Sequence, residues 1–522
     1  MSPALPRVTY SNIAADFTPL HDWLDEALPK FRGEMLGRAW PNIVANQHNV
    51  SGTSYEVRCP FDRNLLIARL VAGDEKAVRQ AVAAAREAYP EWSDRPWQER
   101  VALMRRWAEE IDKRKYDLGM AALFEVGKSR LEAIGEAEEA VDLVAWYADE
   151  MERNEGFAQQ MRRAVPEEET VCRLRPVGVF GVIAPFNFSV ALPCNMLGAC
   201  LVAGNTAVFK PSPGAGLTGA LLVEAAMAAR LPAGVLNLVC GEEAGPLLVA
   251  ADGVDGFAFT GSYKVGMAIL RKVAGGPFMR PVICEMGGKN PTYVTARADL
   301  EVAAEGLARS AFGLQGEKCS ACSVAYVERP VYEDFLGRLK GKAEALKIGN
   351  PEDKSVFVGP VIDEDAVARF ERAANTARQE GRLVHGGERL TSGALADGTF
   401  VSPTIVADLP EDHWINREEL FLPFVSVNAV DSLEEGLRRG NAVVYGLTAG
   451  FYGGETELET FLDKAEAGVL YANRRSGATT GAWPGFQTFC GWKGSGVDSK
   501  GGLGPYTIPR YMREQSLTVM RR

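Results

Sequence analysis

From Val177 onward the chain alternates short, nearly unbroken apolar runs with helix-forming stretches, and few folds accept that order. The runs are VGVFGVIAP (177–185), TAVFK (206–210), VLNLV (235–239), GFAFT (256–260) and RPVICE (280–285). Between them lie ALPCNMLGACLVAG, GLTGALLVEAAMAAR, GPLLVAA and SYKVGMAILRKVA, which read as helices. Strands that are apolar at every position are buried on both faces, so the sheet is parallel with helices on each side. Strand–helix–strand order then demands right-handed crossovers and a doubly wound sheet. A second α/β series starts near Pro291, with a helix from Leu300, the strand SVAYVE and a helix from Val331. The expected fold class is α/β, with two doubly wound domains, 41–160 plus 177–285 and 286–497. A cleft between them would collect the residues at the strand C-termini.

Upstream, residues 1–40 show no clear period and read as an N-terminal extension. Asp74 can cap the helical run Glu75–Tyr89, and AEEAVDLVAWYADEMER continues at helical spacing. The polar, alternating stretch 161–176 interrupts the first series and reads as a small β-arm, with the tail 498–522 as its pairing partner.

Charge and composition narrow the function. The net charge is -11, from 57 basic and 68 acidic residues, which argues against a nucleic-acid or anionic-membrane surface. The most membrane-like stretch, Val190–Gly204, contains Pro193 and Asn195 and is too short to span; no membrane association is expected. MSPALPRVTYSN lacks the pattern of a secretory signal. Nine cysteines are scattered without the density of a disulfide scaffold, so a cytoplasmic protein is expected. Four histidines (His21, His48, His385, His413) show no ligand spacing, and no metal site is expected.

Several motifs fail on inspection. EVGKSR suggests a phosphate loop, but Ala122 stands where that loop needs glycine. No G-x-G-x-x-G follows a strand and no G-x-S-x-G elbow occurs. Cys319 and Cys322 form a lone CxxC, which leaves a redox pair, or a protective disulfide under oxidation, as minority readings.

Three segments carry chemistry. GLQGEKCSACSVAYVE (313–328) places Cys319 in a Gly-bearing loop just before a strand, with Lys318 adjacent to favour thiolate. VICEMGGKNP (282–291) ends a strand in Glu285, facing the cleft. VIAPFNFSVALP supplies Asn187 at another strand-to-helix junction, as an amide donor or as a helix cap. Taken singly, each has a bland reading: an inert thiol, a surface carboxylate, an N-cap.

Taken together they resemble the aldehyde dehydrogenase superfamily. PFNF, NTAVFKPS, FTGSYKVG, EMGGKNP, GEKCS, EELFLP and CGWKGSG occur in family order from about residue 180 to 496. The resemblance implies a Rossmann-like coenzyme domain, a catalytic domain, an oligomerisation arm, NAD or NADP as coenzyme, and a homodimer or higher homo-oligomer. It implies Cys319 as nucleophile toward a small-molecule aldehyde. Asn187 and the Cys319 backbone N–H would be the oxyanion donors, and Glu285 the base that activates water. It assigns Pro185, Lys210, Ser212, Gly261, Ser262, Glu419 and Phe421 to the coenzyme. Lys210 would meet the adenosine ribose, and the helix start at Gly261–Ser262 the pyrophosphate. Glu419 and Phe421 would meet the nicotinamide ribose and ring.

Some positions depart from the family pattern. Pro213 stands where many NAD-preferring members carry a glutamate, which leaves both coenzymes open. Leu422 replaces a glycine, and Thr488 and Cys490 replace the Pro and first Gly of PFGG.

SAFGLQGEKCSA and YANRRSGATTGA are similar to the members that oxidise L-glutamate γ-semialdehyde, the 1-pyrroline-5-carboxylate dehydrogenases. That similarity implies Ser320 and either Gly477–Ala478 or Gly481–Ala482 as anchors of a substrate α-carboxylate. The aromatic-rich loop with Trp483, Phe486 and Phe489 favours an aromatic or aliphatic aldehyde instead. A CoA-acylating enzyme and a non-catalytic structural protein on this fold are the remaining alternatives.

Overall fold

The computed structural model describes residues 5–9, 12, 15–477, 483–498 and 500–521. Two seven-stranded sheets dominate it. The first runs in the order Val282–Met286, Gly256–Gly261, Val179–Ile183, Thr206–Lys210, Leu236–Leu238. Those five are parallel, and a short hairpin, Asn42–Val44 with Gln47–Asn49, closes the edge antiparallel. The second sheet orders Arg382–His385, Thr404–Ala407, Phe424–Val430, Cys322–Glu328, Asn290–Val294, Thr448–Tyr452 and Val469–Ala472, parallel apart from its first edge strand. All five apolar runs expected in the first series are strands, and the helices between them are present.

The helices Ala191–Val202 and Gly216–Ala228 are buried on nearly every side and have no side-chain cap of their own. Their free N–H groups would be costly in a dry core. Carboxylates from neighbouring helices satisfy them. Glu136 accepts from Val190 N at 2.7 Å and Ala191 N at 3.2 Å, and Glu125 from Leu217 N at 2.6 Å and Thr218 N at 3.0 Å. Glu136 is also paired with Lys128, both wholly enclosed.

The stretch read as an arm forms a three-stranded antiparallel sheet. Glu168–Pro176 lies between Ala158–Gln160 and the tail strand Met512–Met520, in register from Met512↔Pro176 to Met520↔Glu168. Two expectations need correcting. The first forty residues contain the helix Thr18–Met35, which buries Leu20, Leu24, Leu28 and Phe31 along one face. Pro29 and the lack of a capping side chain hid it. The helix begun at Asp74, whose carboxylate accepts from Ala77 N at 2.8 Å, continues past Tyr89 through Pro90 to Asp94.

Candidate active site

The C-terminal ends of the first sheet's strands supply Lys210, Gly261 and Glu285, and Asn187 lies in the loop after Val179–Ile183. The second half of the chain clamps the Glu285 edge. Met286 N donates to Ser495 O at 3.0 Å, and Glu285 bridges Gly496. Ser495 Oγ donates to Gly287 O at 2.7 Å and accepts from Gly446 N at 3.0 Å.

The loop bearing Cys319 follows the helix Leu300–Phe312 and turns through three left-handed residues, Leu314 (φ 47), Gln315 (φ 55) and Gly316 (φ 68). Left-handed backbone is costly for Leu and Gln, so other contacts must hold it. Gln315 bridges two segments, donating to Gly127 O at 3.3 Å and accepting from Gly359 N at 3.2 Å. Glu317 accepts from Ile362 N at 3.1 Å. Gly316 has no alternative, because a Cβ there would stand 2.0 Å from the Leu422 carbonyl oxygen.

Two amides then fix the loop around the thiol. Asn187 Nδ2 donates to Glu317 O at 2.9 Å. Asn290 Nδ2 donates to Cys319 O at 2.7 Å and Ala321 O at 2.9 Å, while its Oδ1 accepts from Thr448 N at 3.0 Å. Asn187 therefore makes a contact between loops rather than capping a helix. Sequence reasoning missed Asn290, although the motif EMGGKNP contains it.

Burial pushes the Cys319 thiol well up, and the nearby Glu285 and Glu419 carboxyls add to that; the backbone N–H groups of Ser320 and Cys319 act the other way. This corrects the expectation that Lys318 favours thiolate. The Lys318 ammonium points away and pairs with Glu132 at 3.0 Å. Cys319 packs against the core of the first domain, whereas Cys322 is buried in the core of the second, beside Thr292 and Lys289.

Burial raises the Glu285 carboxyl to about 7, against the opposing charge of Arg510, and its Oε1 is enclosed with no hydrogen-bond partner. Burial likewise raises Glu419 to about 7, although it accepts from Gly288 N at 3.0 Å. The Glu419 carboxylate occupies the space over Gly287, where a Cβ would meet its Oε2 at 1.9 Å. Phe421, at φ 56, stands edge-on to Phe186 with ring centroids 5.9 Å apart, next to the half-buried Pro185.

Lys210 is buried to 7% exposure, and burial lowers its pKa. Among the described residues its ammonium has no hydrogen-bond or ion-pair partner. Gly245 comes close, leaving a Cβ there only 3.9 Å from the lysine methylenes. Ser212 precedes the turn Pro213–Ala215, whose Pro213 carbonyl accepts from Tyr55 at 3.3 Å. Gly261 ends its strand, and Ser262 caps the helix Tyr263–Ala274, accepting from Val265 N at 3.4 Å. An unpartnered buried cation, a helix start and a carboxylate held over a glycine suit an anionic, hydroxyl-rich dinucleotide.

Ser320 is buried, and its carbonyl accepts from Thr448 Oγ1 at 3.3 Å. Gly477 is left-handed (φ 79) and packs on the helix Leu300–Phe312, where a Cβ would meet Gly306 O at 2.4 Å. Its N–H donates to Arg474 O at 3.1 Å, so the expected donation to a substrate carboxylate would have to break that bond. Ala478, Gly481 and Ala482 lie outside the described residues. Trp483 Nε1 donates to Asp142 at 2.6 Å, and Gly485 (φ 79) sits against the Trp146 ring. Among the described residues no cluster of three or more His, Cys, Asp or Glu could hold a metal ion. No described helix is long and apolar enough to cross a membrane.

Comparison with known proteins agrees with this arrangement. The aldehyde dehydrogenase family model matches residues 47–517. A 1-pyrroline-5-carboxylate dehydrogenase of Geobacillus sp. (strain WCH70) is 34% identical over 504 residues, 95% of this chain and 96% of its own. The 1-pyrroline-5-carboxylate dehydrogenase 2 of Bacillus subtilis (strain 168) is 34% identical over 495 residues, 93% of this chain and 94% of its own. The crystal structure of a Thermus 1-pyrroline-5-carboxylate dehydrogenase with bound NAD superposes with a TM-score of 0.92 at 30% identity, covering 100% of both chains. The chain belongs to the aldehyde dehydrogenase family and is an NAD(P)-dependent oxidoreductase acting on aldehydes.

Proposed function

We propose that the protein oxidises L-glutamate γ-semialdehyde to L-glutamate with NAD+, through a thioester on Cys319. The observation that carries the reading is the likeness to 1-pyrroline-5-carboxylate dehydrogenases along 95% of the chain. The chemistry is supported by the meeting of three distant segments: Asn187 grips the loop two residues before Cys319, and Glu285 is close enough to act on the thiol's ionisation.

In this reading the Cys319 sulfur gives up its proton to Glu285, which passes it on to solvent, and attacks the aldehyde carbon. A C–S bond forms and the carbonyl π electrons move to oxygen. The second Asn187 Nδ2 hydrogen and the Cys319 backbone N–H meet that oxyanion. Lys210, Ser262 and Glu419 would hold the nicotinamide coenzyme, which would accept the hydride lost from the former aldehyde carbon as the oxyanion re-forms its C=O bond. Cys319 then carries a thioester. Glu285 takes a proton from water, the hydroxide oxygen adds to the acyl carbon, and the C–S bond breaks to release the acid and restore the sulfur. Ser320 is the side chain assigned to the substrate's α-carboxylate.

A second reading, an aromatic or aliphatic aldehyde, rests on the aromatic content of the loop with Trp483, Phe486 and Phe489. We also infer a cytoplasmic homo-oligomer, supported by nine unpaired cysteines and by the exposed Met161, Val165, Val519 and Met520 at the arm. The test is an aldehyde panel with NAD+ and NADP+, with and without CoA, followed by absorbance of the reduced coenzyme. Glutamate γ-semialdehyde is expected to give the highest kcat/KM without CoA, and Cys319→Ala to fold and give no reduced coenzyme. Turnover of aromatic aldehydes with none of the semialdehyde would overturn the substrate. Activity retained by Cys319→Ala would overturn the mechanism.

A further inference from the structure

We propose that the enclosed ion pair Lys128–Glu136 is a positioning pair for the oxyanion donor: it fixes Phe188 and the start of the following helix, and so holds the Asn187 amide against the nucleophile loop. The inference rests on the reading of Asn187 as that donor.

Lys128 and Glu136 are shut away from solvent, and the reaction uses neither directly. A pair so deep is tolerated only when its remaining donors and acceptors find partners. Here those partners all lie just after Asn187. One carboxylate oxygen of Glu136 takes the Lys128 ammonium, and the other accepts from Val190 N at 2.7 Å and Ala191 N at 3.2 Å. The Lys128 Nζ stands 4.0 Å from the centroid of the Phe188 ring, within reach of cation–π attraction. Asn187 is therefore followed at once by a ring under the ammonium, and then by two N–H groups on the carboxylate. Its own Nδ2 grips Glu317 O at 2.9 Å on the other side. The amide is held between two fixed points. That matters because a group misplaced by about 1 Å can cost about 10²-fold in rate.

The same stretch of chain also grips the nucleophile loop. Gly127, left-handed at φ 77, ends the helix Trp97–Val126, and its carbonyl accepts from Gln315 Nε2 at 3.3 Å. Glu132 pairs with Lys318 at 3.0 Å. Residues 127–136 thus touch both loops, and the gap between Cys319 and Asn187 is set by one short piece of backbone. Glu125 offers a contrast. It satisfies the start of the helix Gly216–Ala228 in the same manner, but its partners Leu217 and Thr218 belong to neither loop.

Glu136→Gln keeps the volume but has one oxygen where two are in use, so either Lys128 or the helix N–H groups lose their acceptor. Lys128→Met removes the cation over Phe188. Glu125→Gln is the control for a damaged buried cap elsewhere. The measurements are the first burst of reduced coenzyme at saturating coenzyme, the rate of Cys319 alkylation by iodoacetamide read by peptide mass, and a thermal melt. The burst should fall roughly ten- to a hundredfold in Glu136→Gln and in Lys128→Met. Cys319 alkylation needs no oxyanion donor and should stay close to wild type in both. Glu125→Gln should melt lower and keep its burst. In an Asn187→Ala background neither substitution should slow the burst by more than about threefold, because the donor that the pair positions is already gone.

Equal falls in both backgrounds would refute the inference, since the pair would then act on something other than the amide. So would an alkylation rate that falls with the burst, an equal loss of burst in Glu125→Gln, or a wild-type burst in the folded variants. If Asn187→Ala itself keeps its burst within about tenfold of wild type, the donor reading falls and the inference with it. If Lys128→Met does not fold, Glu136→Gln decides alone by the same comparison.

Discussion

Asn187→Ala separates the two jobs of one amide. In the structure one Nδ2 hydrogen is committed to Glu317 O at 2.9 Å, which leaves the other for an oxyanion. Losing an oxyanion donor typically costs about 10²–10³ in rate, or about 2.7–4 kcal/mol. Losing the contact to a buried carbonyl costs about 1–3 kcal/mol of stability. At ~2–4 °C per kcal/mol for a domain of this size, melting should fall by several degrees while the protein still folds. Acylation, read as the first burst of reduced coenzyme under saturating coenzyme, should therefore drop by about 10²–10³. Asn187→Asp should do worse, since its carboxylate donates nothing and repels the developing charge. A burst rate within about tenfold of wild type in a folded Asn187→Ala protein would show that no donor was lost, and the assignment would fail.

Gly287→Ala should evict the Glu419 carboxylate, because the new methyl would lie 1.9 Å from its Oε2. With one charged hydrogen bond worth about 1.5–3 kcal/mol gone, the KM for coenzyme should rise roughly tenfold or more; an unchanged KM would remove Glu419 from the coenzyme site. Lys128→Met strands the enclosed Glu136 without its cation, which should cost roughly 3 kcal/mol or more and appear as a lower melting temperature. A melt equal to wild type would mean that the helix N–H groups alone suffice for Glu136. Hydrolysis-limited turnover should fall about tenfold per pH unit below the Glu285 midpoint of about 7, because a protonated carboxyl takes no proton from water; a flat profile across pH 5–8 would contradict this.

The five parallel strands of the first sheet were legible because each is a nearly unbroken apolar run, whereas most strands of the second sheet, such as Arg382–His385, carry no such run. Cys319, Asn187 and Glu285 drew attention only together, because each stands in a short motif of one ordered series. What escaped the reading is set by contacts between distant segments. Lys318 is adjacent to the nucleophile in sequence, yet it pairs with Glu132, 186 positions away. The clamp on Glu285 was invisible too, since Ser495 and Gly496, which pair with its strand, lie about two hundred positions downstream. Gly477 was read for its N–H, whereas its left-handed backbone and its tight approach to Gly306 impose glycine on steric grounds. The helix Thr18–Met35 was hidden because its four buried residues stand among polar ones and Pro29 interrupts the run.

The arm has a kinetic corollary. Arg173 and Gln515 face each other across a separation of 342 positions, so the middle strand of the arm waits for the tail before both of its edges are covered. During refolding that strand presents open backbone donors and acceptors, the kind of template that recruits other chains. Losses to aggregation should therefore be greatest early in refolding and should ease when a peptide spanning 512–520 is added in excess.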